Sequence, residues 1–420
     1  FYRSGIPDVP GRYISALFGI GTIGLVFMLG RVLYGRRVGA LAAVVLAFMP
    51  YHVVISRQIL LDGPMTFFAT AGLLCLALFG RTNRSRWLLM AGAFIGVAAL
   101  TKETAIILVG SAFLFLSLAD RLWRHVRYVL AGAAAALGLA LTYPLVTSIS
   151  GGSRRGSSYL TWQLTRRPNH SFTFYLTQIP LAIGLLVVAA AVLALVARGR
   201  QQSWREVLLV AWAVVPFAFF EIWPVKGFPY LLVATPSVVV LAASFLGRLL
   251  ENRTVRWKRA AGPALVAVVL ISVLAPAIRD VANPASSGLA GAGGLPGGRQ
   301  AGKWVAGHVP KGAQFMTIGP SMANIIEYYS GHRSDGLSVS PNPANRNPSY
   351  NGIRNPHNAL RSGAYQYIVW DAYSASRSPT FATKALALVR RFDGRTVYVG
   401  QASFQGKSAQ PVIVIYQVVS

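Results

Sequence analysis

The chain has 420 residues, of which 54% are hydrophobic and 12% charged, and its formal net charge is +28 at pH 7. A mean hydropathy of +0.49 is rare among soluble domains and typical of membrane proteins. The lysines and arginines punctuate apolar runs instead of gathering on one polar domain, which argues against nucleic acid as a partner. The single cysteine, Cys75, lies inside an apolar run, so neither a disulfide framework nor a metal cluster is predicted.

Apolar runs of membrane-spanning or slightly shorter length follow one another along the first two thirds of the chain and predict a polytopic bundle of about ten transmembrane helices. They cover residues 13–34, 38–55, 64–80, 87–100, 104–118, 126–147, 174–197, 207–223, 228–247 and 260–278. Residue 1 is Phe and no signal peptide precedes it, so we expect the chain to be a fragment that lacks its true N-terminus.

The distribution of arginines predicts how the runs cross the membrane. Arginine clusters precede and follow the block 87–118, and both should be cytoplasmic, so two crossings that turn at Lys102 lie between them. The same alternation places the loop of Arg57 and Asp62, the turn of Lys226 and the whole C-terminal tail on the outer side.

The sequence of the C-terminal tail is typical of a soluble domain. A Gly-, Ala-, Ser- and Pro-rich stretch predicts a flexible linker. Strands are expected at 314–318, 366–371, 396–400 and 411–418, and helices at 321–329 and 379–392, which together favour a small α/β domain. The predicted organisation is therefore a mainly α transmembrane domain at 1–280, a linker at 281–300 and an extracytoplasmic α/β domain at 301–420.

Arg57 and Asp62 stand out because charges at a membrane boundary cost free energy unless they have a partner or a task. If Pro64 opens a helix, Asp62 is a helix cap and Arg57 its salt-bridge partner or an interfacial anchor. Alternatively, the arginine binds a phosphate and the carboxylate takes a proton from a hydroxyl.

Two further pairs of charges lie at predicted outer turns. Lys102 and Glu103 are either a snorkelling lysine beside a turn carboxylate or a site for a lipid phosphate. Glu221 either pairs with Lys226 across a turn or helps Lys226 and Tyr230 to contact phosphate or sugar.

The segment 55–68, ISRQILLDGPMTFF, resembles the protein O-mannosyltransferase and lipid A aminoarabinose transferase group of membrane glycosyltransferases. Three weaker matches follow the same order along roughly the first 280 residues. They are RYISALFG at 12–19 with LYGRRVG at 33–39, ALTKET at 99–104, and PVKGFPYLL at 224–232.

The resemblance implies an enzyme that transfers a sugar from a polyprenyl phosphate to an acceptor hydroxyl at the outer membrane face, with inversion. It also implies a principal base on an outer loop upstream of this chain and an eleventh span there. On the present sequence, the carboxylate that matches the family motif is Asp62. Asp8, the one acid before the first apolar run, is treated as a loop residue that can reach the same outer face and is the second candidate catalytic carboxylate. The implied substrate-binding residues are Arg57, Lys102, Glu103, Glu221, Lys226 and Tyr230.

The expected partners are a polyprenyl-phosphate sugar, membrane lipids and a protein, lipid or glycan acceptor, in a multi-pass protein of the plasma membrane. No cofactor is predicted, and metal dependence stays open. One alternative is a transporter or flippase of lipid-linked or anionic solutes, which predicts broken central helices and inverted repeats. Another is a non-catalytic scaffold, which predicts that Arg57, Lys102 and Lys226 lie on separate surfaces.

Overall fold

The computed structural model describes residues 9–149, 168, 170–199, 203–251, 256–282, 295–342, 346, 350–404 and 407–418. They divide into two compact units, a helical unit that begins in the first helix and ends near residue 282, and a C-terminal unit from residue 295 onwards. The predicted linker at 281–300 overlaps the ends of both units, and its residues 283–294 lie outside the described part of the chain.

Every predicted apolar run folds as helix, because in lipid only a helix or a closed barrel satisfies all backbone hydrogen-bonding groups. The α-helices of this unit are α1 Val9–Tyr34, α2 Arg36–Phe48, α3 Pro50–Ser56, α4 Asp62–Thr82, α5 Arg86–Thr101, α6 Leu108–Leu118, α7 Val126–Ile149, α8 Phe174–Ile183, α9 Leu185–Val196, α10 Trp204–Ile222, α11 Thr235–Glu251 and α12 Arg256–Ala282. Short 3₁₀ helices at Glu103–Ile107, Trp123–His125 and Phe228–Ala234 precede α6, α7 and α11.

Fewer than ten helices are individually long enough to cross a membrane. Among the described residues, 5 helices are long and apolar enough to span a membrane, or up to 7 if each of two bent pairs is one span. Helices α5 and α6 are apolar but shorter. The helical, multi-pass character is thus present, and the count of ten crossings stays a prediction.

The two bent pairs have identifiable causes. Helices α2 and α3 meet at 61° where Pro50, the first residue of α3, cannot donate a backbone hydrogen bond. Helices α8 and α9 meet at 98° at Gly184, whose φ of +103° favours glycine.

The C-terminal unit is built on a five-stranded sheet of order β2-β1-β3-β5-β4. Its strands are β1 Phe315–Thr317, β2 Ser334–Gly336, β3 Tyr367–Asp371, β4 Arg395–Phe404 and β5 Lys407–Gln417. Strand β1 pairs in parallel with β2 and β3, whereas β5 runs antiparallel to both β3 and β4. All four strands expected from the sequence are present, and the short β2 is additional.

Helices cover both faces of this sheet. They are α13 Gly298–His308, α14 Pro320–Ser330, α15 Pro356–Arg361, α16 Ala372–Arg377 and α17 Pro379–Arg391. Alternate residues of the strands face two separate apolar cores, one formed with α13 and α14 and the other with α15 and α17. The arrangement is a three-layer α/β/α sandwich.

Candidate active site

Asp62 is the first residue of α4 and only 3% exposed. Its carboxylate caps no backbone N–H of the helix, so the predicted capping role is not observed. It instead accepts a hydrogen bond of 2.6 Å from the Lys102 ammonium. A carboxylate so far from water needs such a partner, because an unpaired buried charge is very costly.

Lys102 reaches Asp62 because the chain breaks between two helices at this point. Its extended backbone, with φ of −152° and ψ of 119°, ends α5 and starts the 3₁₀ helix Glu103–Ile107. The turn predicted inside the block 87–118 is therefore present. Two short helices separated by an extended residue can aim a lysine side chain inwards, whereas one continuous helix would fix it on a single face.

Tyr230 completes this cluster from a third element. It lies in the 3₁₀ helix Phe228–Ala234, and its ring centroid is 4.4 Å from the Lys102 nitrogen. An ammonium over an aromatic face is stabilised by the ring quadrupole. We call these three residues the Asp62–Lys102–Tyr230 cluster, because they are far apart in the sequence and meet around the Lys102 ammonium. The Lys102 side chain is 14% exposed.

Lys226 is buried and lies two residues before the 3₁₀ helix that carries Tyr230. It makes a different set of contacts. Its ammonium donates to the backbone carbonyls of Phe220, Glu221 and Trp223, which end α10. A cation at this position satisfies carbonyls that the helix leaves without donors and complements the helix dipole. The Glu221 carboxylate is 3.9 Å away, so the predicted pair across the turn is present but is not hydrogen-bonded.

Two buried tyrosines that the sequence interpretation did not single out hold the turn between Lys226 and Tyr230. The Tyr175 hydroxyl bonds both the N–H and the carbonyl of Gly227, each at 2.9 Å. The Tyr51 hydroxyl donates to the Phe228 carbonyl. A phenol inside an apolar run usually finds a polar partner when buried, and this was the available sequence signal.

Two other predicted site residues, Arg57 and Glu103, are exposed. Arg57 is exposed in the turn after α3 and makes no ion pair with Asp62 in the described structure, so the expected Arg57–Asp62 partnership is not formed. Glu103 is exposed at the start of its 3₁₀ helix. Asp8 lies outside the described residues.

The cluster offers one ammonium held by one carboxylate, with an aromatic ring against it. Among the described residues, no group of three or more His, Cys, Asp or Glu side chains could hold a metal ion. Lys102 lies against the ring of Tyr230, and Lys226 lies four residues before Tyr230 in the same turn. Arg57, the third residue on which the scaffold alternative depends, makes no ion pair with Asp62 in the described structure.

Comparison with protein families finds a match for the N-terminal third of the chain. Residues 4–147 match the family model of dolichyl-phosphate-mannose-protein mannosyltransferases. The predicted mannosyltransferase YycA of Bacillus subtilis (strain 168) is 29% identical over 144 residues, which are 34% of this chain and 21% of that relative's length. The resemblance expected from the sequence is thus confirmed for the part of the chain that contains Asp62 and Lys102.

Solved structures extend the likeness to most of the fold. The crystal structure of ArnT from Cupriavidus metallidurans bound to undecaprenyl phosphate has a TM-score of 0.67 at 17% identity, covering 98% of this chain and 84% of that one. The Archaeoglobus fulgidus oligosaccharyltransferase AglB, in complex with an inhibitory peptide and a dolichol-phosphate, has a TM-score of 0.57 at 13% identity, covering 96% of this chain and 63% of that one. At these identities the likeness shows a shared fold.

Proposed function

We propose that this chain is the membrane part and the appended α/β unit of a C-type glycosyltransferase that takes a sugar from a polyprenyl-phosphate donor. The observation that carries the proposal is the Asp62–Lys102–Tyr230 cluster. Its Asp62 and Lys102 lie within residues 4–147, the part of the chain that matches the mannosyltransferase family model. The Lys102 ammonium supplies the positive charge that a lipid phosphate requires.

The reaction is a displacement at the anomeric carbon. The acceptor hydroxyl oxygen forms the new bond to this carbon, the bond to the phosphate oxygen breaks, and the polyprenyl phosphate leaves with the electron pair. The hydroxyl proton passes to a carboxylate base, and attack opposite the leaving group inverts the configuration.

Lys102 stabilises the negative charge that grows on the leaving phosphate. A preorganised cation at low dielectric is the kind of group that lowers the free energy of such a transition state. Asp62 holds that cation in place, because one of its oxygens is already bonded to the ammonium. The ring of Tyr230 lies against the same cation and offers an aromatic surface for the sugar.

Lys226 and Glu221 support the site at its edge. The Lys226 ammonium is occupied by the carbonyls at the end of α10, so its first task is to fix the turn that carries Tyr230. Arg57, exposed at the preceding turn, is free to approach a lipid phosphate from the membrane surface. The whole site is proposed to face the extracytoplasmic side, as is the C-terminal unit, which we assign to acceptor recognition or docking.

A transporter is the less favoured alternative. The bends at Pro50 and Gly184 are the broken helices that it predicts. However, the Asp62–Lys102 pair lies at the ends of α4 and α5 instead of at either bend. The fold shared with ArnT and AglB also points towards glycosyl transfer.

Binding of undecaprenyl phosphate to the purified full-length protein tests the proposal without knowledge of the acceptor. Replacing Lys102 by Met keeps much of the side-chain length and removes the charge. Because a hydrogen bond to a charged group contributes about 1.5–3 kcal/mol, affinity should fall by about 10- to 100-fold. Release of free sugar from a polyprenyl-phosphate mannose, with water as acceptor, should fall at least as much.

Asp120→Asn provides the control, since Asp120 is an exposed acid whose partner is Arg124. It should bind the lipid phosphate as the unchanged protein does. Undiminished binding by a correctly folded Lys102→Met protein would contradict the assignment of Lys102.

A further inference from the structure

The helical unit contains an apolar groove at the opposite end of α4 and α5 from the Asp62–Lys102–Tyr230 cluster. Helix α4 leads away from Asp62 and α5 returns to Lys102, so the α4–α5 turn at 82–86 is one helix length from the cluster. With 21 residues in α4, this length is about 30 Å. The turn between α6 and α7, at 119–125, lies at this same far end because α6 also leads away from Lys102.

A groove of about 310 Å³ runs between α5, α6 and α7 towards these turns, and we call it the far-end groove. Its lining is apolar throughout and includes Leu88, Ile95, Phe113, Leu116, Trp123 and Leu130. The volume equals roughly ten water molecules at their liquid density, far more than a packing defect in a protein interior. Phe113, Leu130 and Trp123 are exposed, so the groove opens to the membrane.

A close crossing of two glycines holds one wall of the groove in place. A Cβ atom added to Gly92 of α5 would lie 2.0 Å from the carbonyl oxygen of Gly132 in α7, so only glycine permits this approach. Both glycines line the groove themselves. At this crossing the groove is lined by backbone atoms, and the close contact of the two helices fixes its shape.

Arginines are frequent in and beside the two turns, and Leu122 and Trp123 of the second turn line the groove. Ser85 Oγ lies 3.3 Å from His125 Nδ1 and joins the two turns, so their basic residues share one surface. These are Arg81, Arg84, Arg86, Arg121, Arg124 and Arg127, and the acid within the two turns is Asp120, which pairs with Arg124. Among the described residues, Arg84, Arg86 and Arg127 are exposed and take part in no ion pair.

We propose that the far-end groove binds an anionic phospholipid, with one acyl chain in the groove and the phosphate on the arginines of the two turns. The charge argues for this occupant, since an apolar groove alone would suit any lipid but a net positive rim selects an anionic headgroup. The exposed Trp123, 80% accessible beside the rim, has the position of an interfacial aromatic anchor.

A polyprenyl phosphate donor fits this surface less well. Its phosphate belongs with Lys102, about 30 Å away at the other end of α4, and would leave the arginine rim without a ligand. The phospholipid site is thus independent of the transferase proposal and holds even if the chain transfers no sugar.

Quenching of Trp123 fluorescence by brominated lipid tests the assignment. The full chain is reconstituted in phosphatidylcholine vesicles that contain a minor fraction of phosphatidylglycerol, with bromine on the acyl chains of either one lipid or the other. Because the chain has nine tryptophans, the Trp123 signal is taken as the difference from Trp123→Phe. Brominated phosphatidylglycerol should quench this signal more strongly, mole for mole, than brominated phosphatidylcholine.

Replacing Arg124 and Arg127 by Gln should lower the preference for phosphatidylglycerol by roughly fivefold for each arginine removed. The matched control is the Arg31→Gln, Arg36→Gln protein, which removes two exposed arginines near the turn between α1 and α2 and should keep the preference. Ala112→Leu, which narrows the groove, should reduce quenching by both lipids.

Equal quenching by the two brominated lipids in the unchanged protein overturns the proposal. So does relief of the quenching by unlabelled undecaprenyl phosphate when the same amount of unlabelled phosphatidylglycerol gives none, because the groove would then hold the polyprenyl chain.

Discussion

The buried Asp62–Lys102 pair should be strongly coupled in stability, and the chain contains a natural control for it. Asp62 and Lys102 are 2.6 Å apart with side chains 4% and 14% exposed, whereas Asp120 and Arg124 are 2.7 Å apart with side chains 82% and 73% exposed. The two pairs have nearly the same separation and differ in their access to water.

The expected magnitudes follow from this difference. At 2.6 Å and an effective dielectric constant of ~20, the attraction between Asp62 and Lys102 is about 6 kcal/mol before desolvation is subtracted. Removing one partner of a buried pair typically costs about 3–5 kcal/mol, because the other charge is left uncompensated. Lys102→Met should therefore lower the free energy of unfolding most. Asp62→Asn should lower it somewhat less, because the amide oxygen can still accept a hydrogen bond.

A double-mutant cycle in the full chain gives the coupling directly. Unfolding free energies are measured by titration with sodium dodecyl sulfate in mixed micelles for each single variant and for the double variant. The Asp62–Lys102 cycle should show a coupling of about 2–3 kcal/mol, within the range for groups in direct contact. The exposed Asp120–Arg124 cycle should give about 0.5 kcal/mol or less. Equal coupling in the two pairs would refute the reasoning from burial.

Three other substitutions test separate parts of the structure. Gly92→Ala should displace α7 and lower the detergent unfolding free energy, whereas Gly138→Ala in α7, whose added methyl meets nothing within 4 Å, should be neutral or stabilising. Tyr175→Phe removes two hydrogen bonds to Gly227 and should cost about 1–3 kcal/mol by the same titration, with faster hydrogen exchange in the following 3₁₀ helix. Burial raises the pKa of Asp371, so the charged form is disfavoured in the folded chain and stability is lost as pH rises through that raised pKa. Asp371→Asn should therefore stabilise the unit at neutral pH and slow hydrogen exchange of the β3 amides there, after correction for intrinsic exchange rates. This difference in exchange rate should vanish in acid, and a difference that grows in acid would contradict the reasoning.

The helices could be predicted from the sequence because lipid imposes a simple rule on apolar runs. The rule also located the break at Lys102, where arginine clusters on both sides of a long block required an even number of crossings. It did not distinguish a full crossing from a bent pair, since the bend at Gly184 depends on one backbone conformation inside an otherwise uniform run.

The sequence predicted most residues of the candidate site but not which of them contact one another. Proximity in the sequence suggested Arg57 as the partner of Asp62, whereas the structure supplies Lys102 from another helix. Such pairings depend on tertiary packing, which residue spacing does not encode. The same is true of Tyr51 and Tyr175, whose roles follow from where the turn at Gly227 lies in the folded bundle.

In the C-terminal unit, the linker predicted at 281–300 includes the residues 298–300, and no helix was predicted over 301–308. The residues 298–308 form helix α13, which packs its apolar side on the sheet through Ala301 and Val305. Strand β2 escaped prediction for a similar reason, since the sequence Ser334–Gly336 has low strand propensity and pairs only because β1 lies beside it.

Photocrosslinking with a polyprenyl phosphate tests whether the Asp62–Lys102–Tyr230 cluster binds the lipid phosphate. A polyprenyl phosphate that carries a photoreactive group beside its phosphate is bound to the full chain, activated, and its attachment sites are mapped by peptide mass spectrometry. We expect attachment within residues 57–66, 99–104 and 224–232, and loss of attachment in Lys102→Met. Attachment confined to the far-end turns at 82–86 and 119–125, or attachment that Lys102→Met leaves unchanged, would contradict this expectation.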